Sequence, residues 1–382
     1  MSTVVIRECK SYELENVIKK INSGIELLGG WDKFVKPGMT VLLKVNLLGP
    51  KPAESATVTN SVFVHAVAKI LAGKQCRVWI GDSSGGAIPG KAVTGKSFAV
   101  SGIENVAKET GAEIKNFDRE GVVEAGSSVF AGEGIMLAKP MFEADVVINM
   151  PKFKTHMLAV YTGAVKNLYG CVPGLKKAEY HKRANTPAKF GGVLADINQA
   201  LKVDLHIVDG ITAMDGDGPT AGKPYQAGKI LMGTDALALD TVACKMINLD
   251  IKNIPFYKAA IERKLGEYNL DRLEIRGDYS EVPQLKGFRL PHTFGNSRIY
   301  GMMTPFINLM KVRPVINLHY CKRCNVCVES CPVKAIDRAT KKIDSGKCIE
   351  CMCCHELCMY KAVELKRVNP LMGLLEGLTG RQ

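Results

Sequence analysis

The chain has 382 residues, enough for two or three domains with a substantial buried core. Its 46% hydrophobic and 23% charged residues are those of an ordinary globular protein, which excludes a disordered or fibrous chain. The net charge is +13, and residues 151–190 alone hold eight Lys or Arg against one acid, Glu179. These cations are interspersed with Gly, Asn and Pro in what reads as a turn-rich loop, with neither the aromatic platform nor the recognition helix of a nucleic-acid binder. A small anionic ligand or an acidic protein partner fits better.

The apolar runs all fall short of a membrane span. The N-terminal stretch "MSTVVIRECK" lacks the basic-then-apolar pattern of a signal peptide, so the expected location is cytoplasmic. Thirteen cysteines in such a chain argue for metal or redox chemistry over disulfides.

From the N-terminus, short β-rich runs alternate with helical spacing. "TVVIRE" is followed by the amphipathic "SYELENVIKKINSGIELL", then "MTVLLKVNLL", then helical "SVFVHAVAKILAG". "CRVWIGD" precedes helical "GIENVAKETG", and "ADVVINM" precedes the basic stretch and helical "FGGVLADINQAL". "LHIVDG", "KILMGT" and helical "DALALDTVACKMI" complete the pattern. Such alternation implies an α/β fold, a mostly parallel sheet with helices on both faces and a site at the carboxyl ends of its strands. The expected organisation is an α/β domain over residues 1–285, a connection over 286–317, a small α+β domain over 318–368 and a tail over 369–382. Within the connection, "RIYGMMTPFINLM" reads as an amphipathic docking segment.

Polar motifs fall at the strand ends. "KVN" supplies Lys44 and Asn46, and "GDSSGG" supplies Asp82, Ser83 and Ser84 with glycine N–H groups suited to an oxyanion. That motif is neither a Walker loop nor a dinucleotide fingerprint, so ATP and NAD are not supported. In "NMPKFKTH", an extended backbone puts Lys152, Lys154 and His156 on one side and Phe153 on the other. Lys166 and Asn167 follow on a helix that can return to the same rim. The expected roles are catalytic for His156, Lys152 and Lys154, with His156 as proton donor. Lys44, Asn46, Asp82, Ser83, Ser84, Lys166, Asn167 and Asp209 are expected to bind the ligand. Asp209, Asp215 and Asp217 could hold a divalent ion or pair with the lysine row, and pairing is favoured. His181 reads as a solvated loop residue, and Cys171 is left open: its turn position favours access, but a nearby cationic field is needed to make it a thiolate.

Nine cysteines crowd the C-terminal region. "CKRCNVCVESCP" and "CIECMCCHELCM" each contain Cys-x2-Cys-x2-Cys-x3-Cys, offset by 27 residues. In this spacing three thiolates wrap one cubane while the fourth ligates the other. Cys321, Cys324, Cys327 and Cys358 are expected on one [4Fe–4S] cluster, and Cys348, Cys351, Cys354 and Cys331 on the second. Cys353 is out of register and reads as a non-ligand, with a swap for Cys354 as the alternative. The segment resembles bacterial two-cluster ferredoxins over residues 316–368, although Met359 replaces the usual proline. Its excess of basic residues suggests a wired-in relay.

Taken with "TVTN", "TGAVKNLYGCVPG", "DGITAMDGDGP" and "GTDALALD", these motifs resemble the domain of unknown function 362 family, in the branch with an appended two-cluster ferredoxin domain. The resemblance implies an iron–sulfur protein of anaerobic or facultative bacteria and archaea, and it implies no particular reaction. The expected function is an enzyme passing single electrons from two [4Fe–4S] clusters to a small anionic substrate or cofactor at the strand ends. The alternatives are an adaptor that docks an acidic carrier such as ferredoxin or flavodoxin, or a protein that binds and delivers a metal or further cofactor.

Overall fold

A computed structural model describes residues 2–85, 93–129, 133–157, 159–174, 176–291 and 312–367. The suggested docking segment, the tail and Gly86 of "GDSSGG" lie outside the described residues.

The chain forms an α/β domain and a small C-terminal domain. The first strands are β1 (Ser2–Glu8), β2 (Thr40–Lys44), β3 (Arg77–Asp82) and β4 (Glu113–Asn116). A side hairpin, β5 (Val122–Ala125) and β6 (Ile135–Ala138), precedes β7 (Val146–Asn149), β8 (Lys152–His156) and β9 (Val160–Thr162). Two long strands follow, β10 (Leu205–Asp215) and β11 (Lys223–Gly233), and then β12 (Leu273–Gly277). The main sheet has the order β12-β1-β11-β10-β7-β2-β3-β4. From β10 to β4 every pair is parallel, and β11 runs antiparallel to both its neighbours. β8 runs on beside β10, and β9 folds back antiparallel on β8.

Helices cover both faces, which is why the central strands are apolar without a break. Val5, Val41, Leu43 and Ile148 point into a core with helices Leu14–Glu26 and Ser61–Gly73. Val4, Ile6, Leu42 and Val147 point the other way, onto helices Pro187–Ala200 and Ala236–Met246. The two-residue period of each strand thus divides its side chains between two cores.

Two expectations about local structure are corrected. The strand read in "LHIVDG" runs on as far as Asp215, because β11 supplies hydrogen-bond partners along it. The supposed turn-rich basic loop contains the β8–β9 hairpin and helix Lys176–Arg183.

The C-terminal domain pairs β13 (Val312–Ile316) with β14 (Val363–Arg367), antiparallel. Its core consists of Ile316, Cys327, Ile336 and Val363, with Cys321, Cys331, Cys354 and Cys358 packed against it. So small an apolar core gives little driving force by itself, and metal–thiolate bonds to the expected clusters would supply the rest. Removing the iron–sulfur clusters expected here should therefore abolish amide protection across residues 312–367 in hydrogen exchange, while Val41–Leu43 keep theirs. Retained protection in both regions would mean that the apolar core suffices.

Candidate active site at the strand ends

Lys44 and Asn149 are register partners at the ends of β2 and β7, and Asp82 ends β3 beside them. Lys44 and Asp82 form a fully buried ion pair, Nζ to Oδ1 2.9 Å. Asp82 also accepts the backbone N–H groups of Leu47 at 2.6 Å and Ser83 at 2.8 Å. Burial pushes its carboxyl up, and the ammonium groups of Lys44 and Lys177 pull it back. The turn Leu168–Cys171 presses directly on this pair. A Cβ on Gly170 would lie 2.3 Å from Asp82 Oδ1 and 2.6 Å from Lys44 Nζ, so the approach requires glycine.

A second buried pair lies under β8. Lys152 Nζ donates to Asp209 Oδ2 and to the Tyr12 hydroxyl, both at 2.8 Å, and Tyr12 donates to Asp209 Oδ1 at 2.7 Å. Its charge is neutralised within the fold. Lys154 donates to Asn46 Oδ1 at 2.5 Å and to the Thr57 carbonyl at 2.6 Å. The Ala159 N–H donates to His156 Nδ1 at 3.1 Å, which leaves the ring proton on Nε2. Phe153 points the other way, edge-on to Tyr161. Lys152, Lys154 and His156 line a chamber of about 50 Å³ together with Asn46, Lys166 and Asn167.

Lys166 and Asn167 stand on the one-turn helix Ala164–Asn167. Asp240 anchors its start, accepting the N–H groups of Ala164 at 2.7 Å and Val165 at 2.9 Å and the Tyr257 hydroxyl at 3.0 Å. Burial pushes the Asp240 carboxyl up to about 7. Asn167 Nδ2 donates to Asn149 Oδ1 at 2.7 Å and to the Val45 carbonyl at 3.3 Å. Asn149 Nδ2 in turn bonds His206 Nδ1 at 3.0 Å and the Ala164 carbonyl at 2.9 Å. Burial lowers His206 to about 3, so it is a neutral acceptor.

Asn46, Leu48, Lys166 and Asn167 also line a larger chamber of about 120 Å³, which makes the two chambers one cleft. Asp82, Ser83 and Lys177 belong to its α/β wall, and Ser330, Cys353 and Leu357 close it from the C-terminal domain. Lys177 donates to the Ser83 carbonyl at 2.5 Å, Ser83 Oγ at 2.6 Å and the Ser84 carbonyl at 3.3 Å. Ser83 Oγ and Thr94 Oγ1 each donate to Asp118 at 2.5 Å. Burial pushes the Lys177 ammonium down to about 8, against the attraction of Asp118 and Asp82.

Of the residues singled out in the sequence, Asn46, Asp82, Ser83, Lys152, Lys154, His156, Lys166 and Asn167 line the cleft. Lys44, Ser84 and Asp209 are not among the lining residues; they lie beneath and hold the wall. Cys171 is fully buried and its thiol is pushed up to about 12, so it is not an accessible turn thiol. His181 is not a solvated loop residue either: it stacks on Phe190 with centroids 4.3 Å apart and lines the larger chamber. Asp209 pairs with the lysine row, whereas Asp215 pairs with Arg289 at 2.6 Å.

The C-terminal cysteines gather in two sets. Cys321, Cys324, Cys327 and Cys358 line one cavity, whose other walls include Ile316, Val326 and Val363. Cys331, Cys348, Cys351 and Cys354 line a second, with Ile336, Ile343 and Met352, and Cys353 touches this cavity too. The Ala335 N–H donates to Cys331 Sγ and the Ala362 N–H to Cys358 Sγ, each at 3.2 Å. Four thiols, backbone donors to sulfur and apolar walls are a donor set that fits a [4Fe–4S] cubane in each cavity.

Comparison with known proteins agrees with both parts. Residues 41–245 match the family model for a domain of unknown function, DUF362, and residues 313–359 match a 4Fe-4S dicluster domain. The chain belongs to the DUF362 family. It is similar to the thylakoid-associated protein sll1697 of Synechocystis sp., 36% identical over 269 residues, which are 70% of this chain and 80% of that protein. Among solved structures it is similar to the lactate racemase apoprotein from Thermoanaerobacterium thermosaccharolyticum, with a TM-score of 0.39 and 12% identity. That match covers 63% of this chain and 56% of the other. Among the described residues no helix is long and apolar enough to cross a membrane.

Sequence reasoning did not single out four residues of this region: Tyr12, Asp118, Lys177 and Asn149. Lys177 carried a signal in its place in the basic stretch, and Asn149 in its place at the head of "NMPKFKTH". The buried pair on β8 gives a direct test. Lys152→Met leaves the Asp209 carboxylate buried without its cation and should cost about 3–5 kcal/mol in denaturant unfolding. Adding Asp209→Asn should recover most of that loss. A cost below about 1 kcal/mol for the single variant would mean that the pair does not hold the wall.

Proposed function

We propose that the protein is an iron–sulfur oxidoreductase that exchanges single electrons with a small anion held in the cleft. The observation that supports this most is the shared wall of the larger chamber. Ser330, Cys353 and Leu357 line it and directly precede Cys331, Cys354 and Cys358 in the chain. In this reading Cys321, Cys324, Cys327 and Cys358 hold one [4Fe–4S] cluster, and Cys348, Cys351, Cys354 and Cys331 the other. The clusters supply one-electron steps, and a carrier of the ferredoxin or flavodoxin class reloads them from a reducing, cytoplasmic pool.

The anionic group sits in the smaller chamber, where Lys154, Lys166 and the His156 Nε2–H meet it and stabilise charge that builds up on reduction. Lys152 with Asp209, and Lys44 with Asp82, fix the wall. Lys177 is a better proton donor than His156, whose Nδ1 already accepts the Ala159 N–H. With its ammonium lowered to about 8, Lys177 is charged at neutral pH and still acidic enough to release a proton. Its longest hydrogen bond, to the Ser84 carbonyl, is the one a ligand acceptor displaces. Ser83 Oγ and Asp118 then form the route that returns the proton.

Burial also weighs against the lysine stretch as a docking face for an acidic carrier. Lys152 and Lys154 are 1% and 3% exposed, and charges so enclosed offer a protein partner nothing.

Native mass spectrometry of protein purified without oxygen should reveal a small anion beyond the mass of the clusters, lost on denaturation and missing from Lys154→Met. Clusters alone, together with no stabilisation by carboxylates or phosphates, would contradict the reading. The rate at which reduced clusters are reoxidised by that anion should fall as pH rises through about 8, as Lys177 loses its proton. Lys177→Arg, which stays charged but does not release its proton, should be slow at every pH and show no such fall. An unaltered pH profile in Lys177→Arg would assign the proton to another group.

A further inference from the structure

Two buried atoms lining the cleft have no hydrogen-bond partner among the described residues, Asn167 Oδ1 and Ser330 Oγ, and the first stands where the two chambers join. Asn167 is 6% exposed and lines both chambers, and its Oδ1 is buried with no hydrogen-bond donor among the described residues. The amide cannot be turned to relieve this. Its Nδ2 faces two acceptors, Asn149 Oδ1 and the Val45 carbonyl, and Asn149 is itself fixed by the Ala164 carbonyl and His206. A buried acceptor held in this way is costly unless something donates to it. It stands at the junction of the chambers.

The chambers differ in size and character. At about 10–15 Å³ per water-sized position, the smaller one, at about 50 Å³, takes about four such positions and the larger one, at about 120 Å³, about nine. The smaller is lined by Lys154, His156 and Lys166. The larger has an apolar side of Leu47, Leu48, Tyr169 and Leu357 beside the polar Asp82, Ser83, Lys177 and Ser330.

We infer that the cleft takes a hydroxylated carboxylate, with the carboxylate in the smaller chamber, the hydroxyl donating to Asn167 Oδ1 and an apolar body in the larger chamber against the cluster domain. The inference rests on the anion reading above and narrows its ligand class. Four positions suit a carboxylate with its adjoining carbon, which leaves the hydroxyl at the junction beside Asn167 Oδ1. The hydroxyl is required as a donor, which a bare carboxylate lacks. An apolar body of up to about nine atoms fills the space beside Leu357.

The test uses a matched pair of probes on the cluster-loaded full chain, mandelate and phenylacetate, which differ by one hydroxyl. Calorimetry should find mandelate bound about tenfold more tightly, because phenylacetate leaves Asn167 Oδ1 unpaired. In Asn167→Leu the two affinities should converge. Equal affinities in the native chain would overturn the inference and leave the anion reading standing. If neither probe binds, the inference also fails. Acetate and phosphate then decide the broader reading, which survives if either binds and Lys154→Met abolishes it, and falls if neither does.

Discussion

The buried Lys44–Asp82 pair is the constraint around which the cleft is arranged. It ties the ends of two adjacent parallel strands, and a charge pair without water is tolerable only when its remaining hydrogen-bonding capacity is used. The protein uses it: Lys44 also donates to the Val45 carbonyl, and the Leu47 and Ser83 N–H groups converge on Asp82. Those bonds fix the two segments that form the floor of the larger chamber. Gly170 lets a third segment close over the pair, and that segment continues from the helix carrying Lys166 and Asn167. Lys177 then reaches Ser83 from beyond it. Altering the pair would therefore disturb three walls together.

Much of this was legible in the sequence because it depends on local patterns. Uninterrupted apolar strands alternating with helices announced the parallel sheet, and the polar motifs at the ends of β2, β3 and β7 fell near one rim. The repeated cysteine spacing announced the dicluster domain. What could not be read depends on distant contacts. Tyr12 meets Asp209 across 197 positions of sequence, and nothing near either residue marks the other. Helix Lys176–Arg183 looked like a loop because "KKAEYHKR" has almost no apolar periodicity. Its support is tertiary, from buried Tyr180, His181 stacked on Phe190 and Lys177 bound to Ser83. The basic stretch misled for a related reason: composition does not distinguish exposed lysines from those enclosed with Asp209 or Asn46.

The two domains meet where their chemistries can be joined. The C-terminal domain contributes residues adjacent to its cysteines, and the α/β domain contributes its cationic rim. Fixed dipoles and charges at such a boundary stabilise charge that moves across it, with little reorganisation. In the proposed reading, a wall shared in this way accounts for the ferredoxin-like part being attached, since the cleft receives its electrons from within the same chain.

The most direct measurement is single-turnover reoxidation of chemically reduced clusters by the anion that the cleft binds, followed by absorbance without oxygen. The account predicts saturable reoxidation that Lys154→Met abolishes while cluster content is unchanged. Reoxidation that proceeds only with an added carrier protein, at a rate indifferent to Lys154→Met, would contradict it.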